Sequence, residues 1–152
     1  MNFIDYLFEH SKFSTNPFFL ESDVMITYDA FYYDMNRISS SLLERYGPSN
    51  QMLLVAENSY FFILAYLSII KSGNTAVLIE TRIGEKDFAQ IHNQCSFSAC
   101  FVQKKFLDLF KNTSIDLYTE NDLEELSKEK IESYDLNPSD DVAVIIFTSG
   151  ST

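Results

Sequence analysis

The sequence predicts an α/β fold in which helices cover both faces of a mostly parallel sheet. Short apolar runs of strand length alternate with longer segments whose apolar residues recur at helical spacing. Such alternation favours βαβ units with right-handed crossovers. Of the 152 residues, 46% are hydrophobic, and 14 Phe and 9 Tyr are among them. This composition supports a buried core and argues against a disordered chain.

A small structure is expected ahead of the main fold. An amphipathic pattern opens the chain and is carried by Phe3, Ile4, Leu7 and Phe8. It predicts a short docking helix, followed by a polar linker, within residues 1–16. Residues 18–20 and 24–28 are apolar runs around Glu-Ser-Asp, which favours a hairpin. The α/β domain is therefore expected over residues 17–152.

The elements of the main fold follow from the spacing of apolar residues. Strands are expected over residues 51–56, 75–79, 99–103, 114–118 and 142–147. Helices are expected after Thr27, after Asn58 and Ser59, around Phe88, around Phe106 and within residues 121–134. In the last of these, Asn121 and Glu124 have the spacing of a capping box and predict where the helix begins.

Charge and cysteine usage exclude several classes of protein. The formal net charge is -11, from 22 acidic and 11 basic residues, which argues against a general nucleic-acid binder. Cys95 and Cys100 lack the spacing of a metal or redox motif, so free thiols, no metal site and a cytoplasmic location are expected. The longest apolar run, residues 60–70, is shorter than the ~20 residues of a membrane span.

The candidate binding residues follow the last predicted strand. They are Thr148, Ser149, Gly150, Ser151 and Thr152. Ligands of open α/β sheets bind at the carboxyl ends of strands, and hydroxyl and backbone N–H groups around a glycine suit phosphate oxygens. The same composition also describes an ordinary polar turn, and no Walker lysine follows. Because Gly-x-Gly-x-x-Gly is absent, a flavodoxin-like or Rossmann-like nucleotide binder is a weaker alternative.

Residues 147–152, Phe-Thr-Ser-Gly-Ser-Thr, resemble the start of the loop [YF]TSG[ST]TGxPK of AMP-forming acyl-CoA synthetases, nonribosomal adenylation domains and luciferases. The resemblance extends from about Phe18 onward. Residues 26–31, Ile-Thr-Tyr-Asp-Ala-Phe, are similar to the family's Leu-Thr-Tyr-x-Glu-Leu. Residues 70–73, Ile-Lys-Ser-Gly, are similar to its Leu-Lys-Ala-Gly. Residues 54–59 are similar to the family's strand that ends in Asn before a buried helix.

One segment departs from the family pattern. Where the family continues Ala-Ala-Tyr-Val-Pro-Leu-Asp, residues 74–80 read Asn-Thr-Ala-Val-Leu-Ile-Glu, and Leu78 takes the place of proline. The departure indicates a divergent member and bears on local backbone shape more than on chemistry.

The resemblance implies the N-terminal part of an ATP-dependent ligase, truncated inside its phosphate-binding loop. The parent would use ATP and Mg²⁺ to activate a carboxylic acid as acyl-adenylate and pass it to a thiol acceptor, either CoA or a phosphopantetheine carrier. Residues 148–152 would hold the outgoing phosphates. The family's loop lysine, adenine pocket, magnesium ligand and mobile C-terminal domain follow later in its sequences, so the 152-residue chain alone is expected to be inactive and to bind no cofactor tightly.

A second hypothesis belongs to another class. The chain could be a stand-alone α/β module that binds a partner or a small molecule without catalysis. An apolar face near residues 142–147 would then favour dimerisation.

Overall fold

The computed structural model describes residues 3–129 and 142–147. In chain order the elements are α1 (Phe3–Leu7), β1 (Pro17–Glu21), β2 (Val24–Thr27), α2 (Tyr28–Tyr46), β3 (Gln51–Val55), α3 (Tyr60–Lys71), β4 (Thr75–Leu78), α4 (Glu85–Gln94), β5 (Phe97–Val102), a 3-10 helix (Lys104–Phe110), β6 (Asp116–Tyr118), α5 (Glu120–Leu126) and β7 (Val144–Ile146). The predicted order of strands and helices is confirmed.

Five strands form one parallel sheet, with the order β6-β5-β3-β4-β7. The central strand β3 is buried on both faces, because its side chains alternate between two core clusters. Met52 and Leu54 join the cluster formed with α1, α2, α3 and α5, whereas Leu53 and Val55 join the cluster formed with α4 and the 3-10 helix. The prediction of a parallel α/β sheet covered on both faces is confirmed.

The predicted hairpin is also present. β1 and β2 pair antiparallel, with Glu21 opposite Val24, so Ser22 and Asp23 form a two-residue turn. Ser22 has a φ of 51°, which lies in the left-handed region that such turns require. The outer face of the hairpin exposes Leu20 and Met25 to solvent.

α1 packs onto the main fold through its apolar side. Ile4 and Phe8 are 1% and 3% exposed, and the Phe8 ring stacks on Phe31. Asp5 forms an ion pair with Lys71 of α3 and accepts a hydrogen bond of 3.0 Å from the Tyr32 hydroxyl. These contacts join α1 to α2 and α3. The division of the chain at residue 16 stays a prediction.

The capping residues of α5 differ from the prediction. The capping box is formed by Thr119 and Asp122, and the Asp122 carboxylate accepts a hydrogen bond from the Thr119 N–H at 2.7 Å. The prediction that Asn121 and Glu124 form it was wrong. Both pairs have the same spacing, but β6 ends at Tyr118 and the helix begins at Glu120, so Thr119 is the residue that caps it. The element around Phe106 is a 3-10 helix, and residues 130–134 of the last predicted helix lie outside the described residues.

Candidate functional site at the carboxyl edge of the sheet

The five predicted phosphate-binding residues, Thr148, Ser149, Gly150, Ser151 and Thr152, lie outside the described residues. Their contacts with one another and with a ligand therefore stay a prediction. The structure describes the strand that leads to them, up to Phe147. The geometry of that strand determines the point at which the chain leaves the sheet.

β7 ends at the carboxyl edge of the sheet, beside β4. The two strands pair in parallel, with Val77 opposite Ile145 and Leu78 opposite Ile146. One residue further, the Phe147 N–H donates to the Leu78 carbonyl at 3.0 Å. Ligands of open α/β sheets bind at this edge. The residue that precedes the hydroxyl-rich segment therefore lies at the edge where a ligand is expected.

The neighbouring end of β4 leads into a charged segment. The Ile79 N–H donates to the Leu54 carbonyl of β3, and Glu80 and Arg82 after it are exposed. α4 begins soon afterwards, with Glu85 and Asp87 in its first turn. Acidic side chains at a helix N-terminus interact favourably with the helix dipole and repel an anionic ligand. The start of α4 is therefore a poor place for a phosphate group.

Another position at the carboxyl edge where ligands of such sheets bind is the boundary between β3 and β5. The connection from β3 leads to its neighbour β4 on one side, and the connection from β5 leads to its neighbour β6 on the opposite side. The strand order therefore reverses between β3 and β5. The Gln103 carboxamide crosses this boundary, since its oxygen accepts the Glu57 N–H at 2.8 Å and its nitrogen donates to the Ser59 hydroxyl at 3.3 Å. Lys105 adds an ion pair with Glu57.

These polar groups stabilise one another and the start of α3. The Ser59 hydroxyl also accepts the Phe62 N–H at 3.2 Å and so caps that helix, as the sequence predicted. The sequence analysis missed Gln103, Glu57 and Lys105. One indication was available, because Glu57 and Gln103 are among the first polar residues after two apolar strands.

Two open cavities lie away from this edge. One, of about 420 Å³, lies between α4 and the 3-10 helix and is lined in part by His92, Asp108 and Lys111. The other, of about 490 Å³, lies at the amino ends of β5 and β6, near Phe97 and Asp116. Both are shallow openings at the periphery, and neither adjoins the residue at which β7 ends.

Three further findings concern only residues 3–129 and 142–147. No group of three or more His, Cys, Asp or Glu side chains is arranged to hold a metal ion. Cys95 and Cys100 are free thiols, and burial raises the pKa of Cys100 well above its ordinary value. None of the helices in this part of the chain has the length and apolarity needed to cross a lipid bilayer.

Comparison with known proteins gives matches over most of the chain. The nonribosomal peptide synthetase sirP of Leptosphaeria maculans is 27% identical over 136 residues, which cover 84% of this chain and 6% of that protein. Two examples illustrate the solved structures that share the fold. A benzoate CoA ligase from Burkholderia xenovorans LB400 has a TM-score of 0.74 at 18% identity, over 84% of this chain and 28% of its own. Apo MatB from Rhodopseudomonas palustris has a TM-score of 0.80 at 14% identity, over 98% of this chain and 32% of its own.

The chain thus spans less than a third of the length of each of these relatives. The structural likenesses, at such low identity, establish the fold alone. The family is established by a different match, because the model of the AMP-binding enzymes aligns with residues 9–152, which is nearly the whole sequence. Together with the parallel sheet and the strand that leads to the hydroxyl-rich residues, this match leads to one conclusion: the chain belongs to the family of AMP-binding enzymes.

Proposed function

We propose that this chain is the N-terminal part of an ATP-dependent, AMP-forming ligase. In the reaction a carboxylate oxygen attacks the α-phosphorus of ATP. The bond between the α-phosphorus and the oxygen that bridges to the β-phosphate breaks, pyrophosphate departs, and the product is an acyl-adenylate. A thiol then takes the acyl group and releases AMP. The observation that carries the proposal is the position of Phe147, which joins the hydroxyl-rich residues to the carboxyl edge of the sheet beside β4.

The donor set after Phe147 suits a polyphosphate. Four hydroxyl side chains, those of Thr148, Ser149, Ser151 and Thr152, surround Gly150, at which the backbone can approach an anion closely. Such groups would bind the β- and γ-phosphates and orient them for departure, since catalysis of this kind depends on positioning and charge stabilisation. Mg²⁺ would accompany ATP and neutralise part of the phosphate charge. The carboxylic acid and the thiol acceptor, CoA or a phosphopantetheine carrier, are the expected partners, and the cytoplasm is the expected location.

The 152-residue chain alone is expected to be inactive and to bind ATP weakly, because the family's loop lysine and catalytic C-terminal domain are not among its residues. We expect ATP–pyrophosphate exchange from a longer gene product that continues past Thr152 with Gly-x-Pro-Lys. The 152-residue chain should give no exchange above background. Exchange by the 152-residue chain would contradict its proposed inactivity, and no exchange by the longer product with any carboxylic acid would overturn the ligase function.

A substitution in the longer product tests the role of the loop. We expect Ser149→Ala to lower the exchange rate by roughly 10- to 100-fold, since one donor to the departing phosphates is lost. Ser127→Ala is the matched control, because the Ser127 hydroxyl donates to the Glu124 carbonyl at the end of α5. The control should exchange at the unaltered rate. Equal rates for the two variants would argue against phosphate binding by Ser149.

The alternative, a stand-alone interaction module, is favoured by one observation. Val142, two residues before β7, and Ile146, its last residue, are 61% and 62% exposed, and β7 is the last strand of the described sheet. A second copy could cover these side chains. Size-exclusion chromatography with light scattering tests this alternative. A dimer that Ile146→Lys converts to a monomer would support the interaction module, and a monomer at all concentrations would count against it.

A further inference from the structure

Thr75, the first residue of β4, contacts both neighbouring strands. Its backbone N–H donates to the Asn50 carbonyl, immediately before β3, at 2.8 Å. Its side-chain hydroxyl donates to the carbonyl of Val142, two residues before β7. The residue is only 9% exposed, so water competes little for either bond. One threonine therefore links the amino ends of three segments of the sheet.

The pairing that this bond begins is short. The Ala76 N–H donates to the Ala143 carbonyl at 2.9 Å, three residue pairs follow, and the Phe147 N–H then donates to the Leu78 carbonyl. A slip of one residue would turn every side chain of β7 to the opposite face. Ile145, which is partly buried against the core, would exchange places with the exposed Ile146. The bond from Thr75 opposes such a slip at the point where the strand enters the sheet.

Thr75 lies in the segment, residues 74–80, in which the chain departs from the pattern of the similar family. The second alanine of Ala-Ala-Tyr-Val-Pro-Leu-Asp is here Thr75, and alanine has no hydroxyl to donate. The proline is here Leu78, which pairs with both Leu54 and Ile146. A proline would lack the backbone N–H for such a ladder. β4 thus carries two donors that the pattern omits.

We propose that Thr75 is a positioning residue for residues 148–152: by anchoring the start of β7 it sets the register at which the phosphate-binding loop leaves the sheet. This inference rests on the proposed function. In this proposal Thr75 acts through β7. The hydrogen bond of its side chain to the Val142 carbonyl is a local property of this chain, and it can be tested without any activity.

The first test measures amide hydrogen exchange in the 152-residue chain. Thr75→Val keeps the shape and the strand preference of the side chain but removes the hydroxyl, and Thr75→Ser restores it. We expect the Ala76 and Phe147 amides to exchange on the order of fivefold faster in Thr75→Val, the effect of one lost hydrogen bond, and at the unaltered rate in Thr75→Ser. The Gln103 amide, which donates to the Val55 carbonyl between β5 and β3, is the internal reference.

A matched control separates this contact from the general loss of a threonine hydroxyl. The Thr113 hydroxyl donates to the Phe110 carbonyl at 3.1 Å, far along the chain from β7, so Thr113→Val should leave the Ala76 and Phe147 amides unchanged. Unaltered exchange in Thr75→Val would overturn the proposal. An equal rise at the Gln103 amide would also overturn it, because the hydroxyl would then stabilise the whole sheet rather than the position of β7.

The second test uses the longer gene product. We expect Thr75→Val to raise the KM for ATP roughly tenfold and to leave the KM for the carboxylic acid unchanged, while Thr75→Ser restores the original value. Equal changes in both constants would contradict a role in positioning the phosphate loop. If the unaltered longer product catalyses no exchange, the ligase function fails, whereas the hydrogen exchange of β7 still decides whether Thr75 anchors that strand.

Discussion

Asp34 illustrates how one half-buried carboxyl group responds to its surroundings. The Tyr60 hydroxyl lies 3.5 Å from its Oδ2 atom, at the start of α3. Burial raises the pKa of Asp34 above its ordinary value, and the hydrogen bond from Tyr60 and the charge of Arg37 offset only part of this effect. Burial also raises the pKa of Tyr60, with the charge of Asp34 as a second cause. Folding therefore makes protonation of Asp34 easier than it is in the unfolded chain.

This shift predicts a pH dependence of stability. Because the pKa of Asp34 is higher in the folded state, the folded state binds more protons, and the free energy of unfolding falls as the pH rises above the ordinary value of 3.8. Asp34→Asn removes this loss and still accepts a hydrogen bond from Tyr60. We expect the variant to be more stable than the unaltered chain at pH 7, by less than about 1 kcal/mol given the solvent exposure, and the difference to shrink toward pH 4.

Urea unfolding at pH 4 and pH 7 measures the difference. Asp108→Asn is the control, because the Asp108 side chain is 86% exposed and pairs with Lys111 on the surface. Such a pair contributes little, so this variant should show no comparable gain at pH 7. A loss of stability in Asp34→Asn at pH 7 would contradict the assigned cause.

Among the elements, α1 is short but makes extensive contacts. Phe8, just after α1, lies within 5.7 to 6.5 Å of the ring centroids of Phe18, Tyr28, Phe31 and Tyr32. Since five residues cannot form a stable helix alone, tertiary packing must hold α1 in place. The matched family region begins at residue 9, and the core nevertheless includes Ile4 and Phe8.

Phe8 and Phe13 form a matched pair for a test of this packing. Phe8 is 3% exposed and Phe13 is 83% exposed. We expect Phe8→Ala to lower the free energy of unfolding by about 3–4 kcal/mol, through lost burial and the cavity that remains, and Phe13→Ala to change it by less than about 0.5 kcal/mol. Chemical unfolding measures both. Equal changes in the free energy of unfolding for the two variants would mean that α1 does not unfold together with the core.

The elements also reveal what the sequence could predict. The helix bearing Phe31, Met35 and Leu42 was predicted because its period of apolar residues is local. The capping box of α5 was placed two residues late, since two pairs of residues fit the motif and only the end of β6 selects between them. The contacts of Gln103 with Glu57 and Ser59 span more than 40 residues of sequence, and no local pattern could indicate them.

For the whole molecule, the sequence predicted the class of fold but left the strand order open. Alternating strands and helices imply a parallel sheet, whereas the order β6-β5-β3-β4-β7 depends on the side to which each crossover turns. The strand that leads to the candidate loop is paired with β4 as far as Phe147, and the rule that ligands bind at the carboxyl edge applies to any such strand order. The contacts of residues 148–152 themselves stay a prediction.

The place of β7 at the end of the sheet has a consequence for biosynthesis. The other four strands of the described sheet precede it in the chain, so they leave the ribosome first and can associate while residues 142–147 are still being translated. β7 then adds to an edge that already exists. We therefore expect β7, which leads to the proposed phosphate-binding residues, to take its place late in folding, after most of the described core has formed.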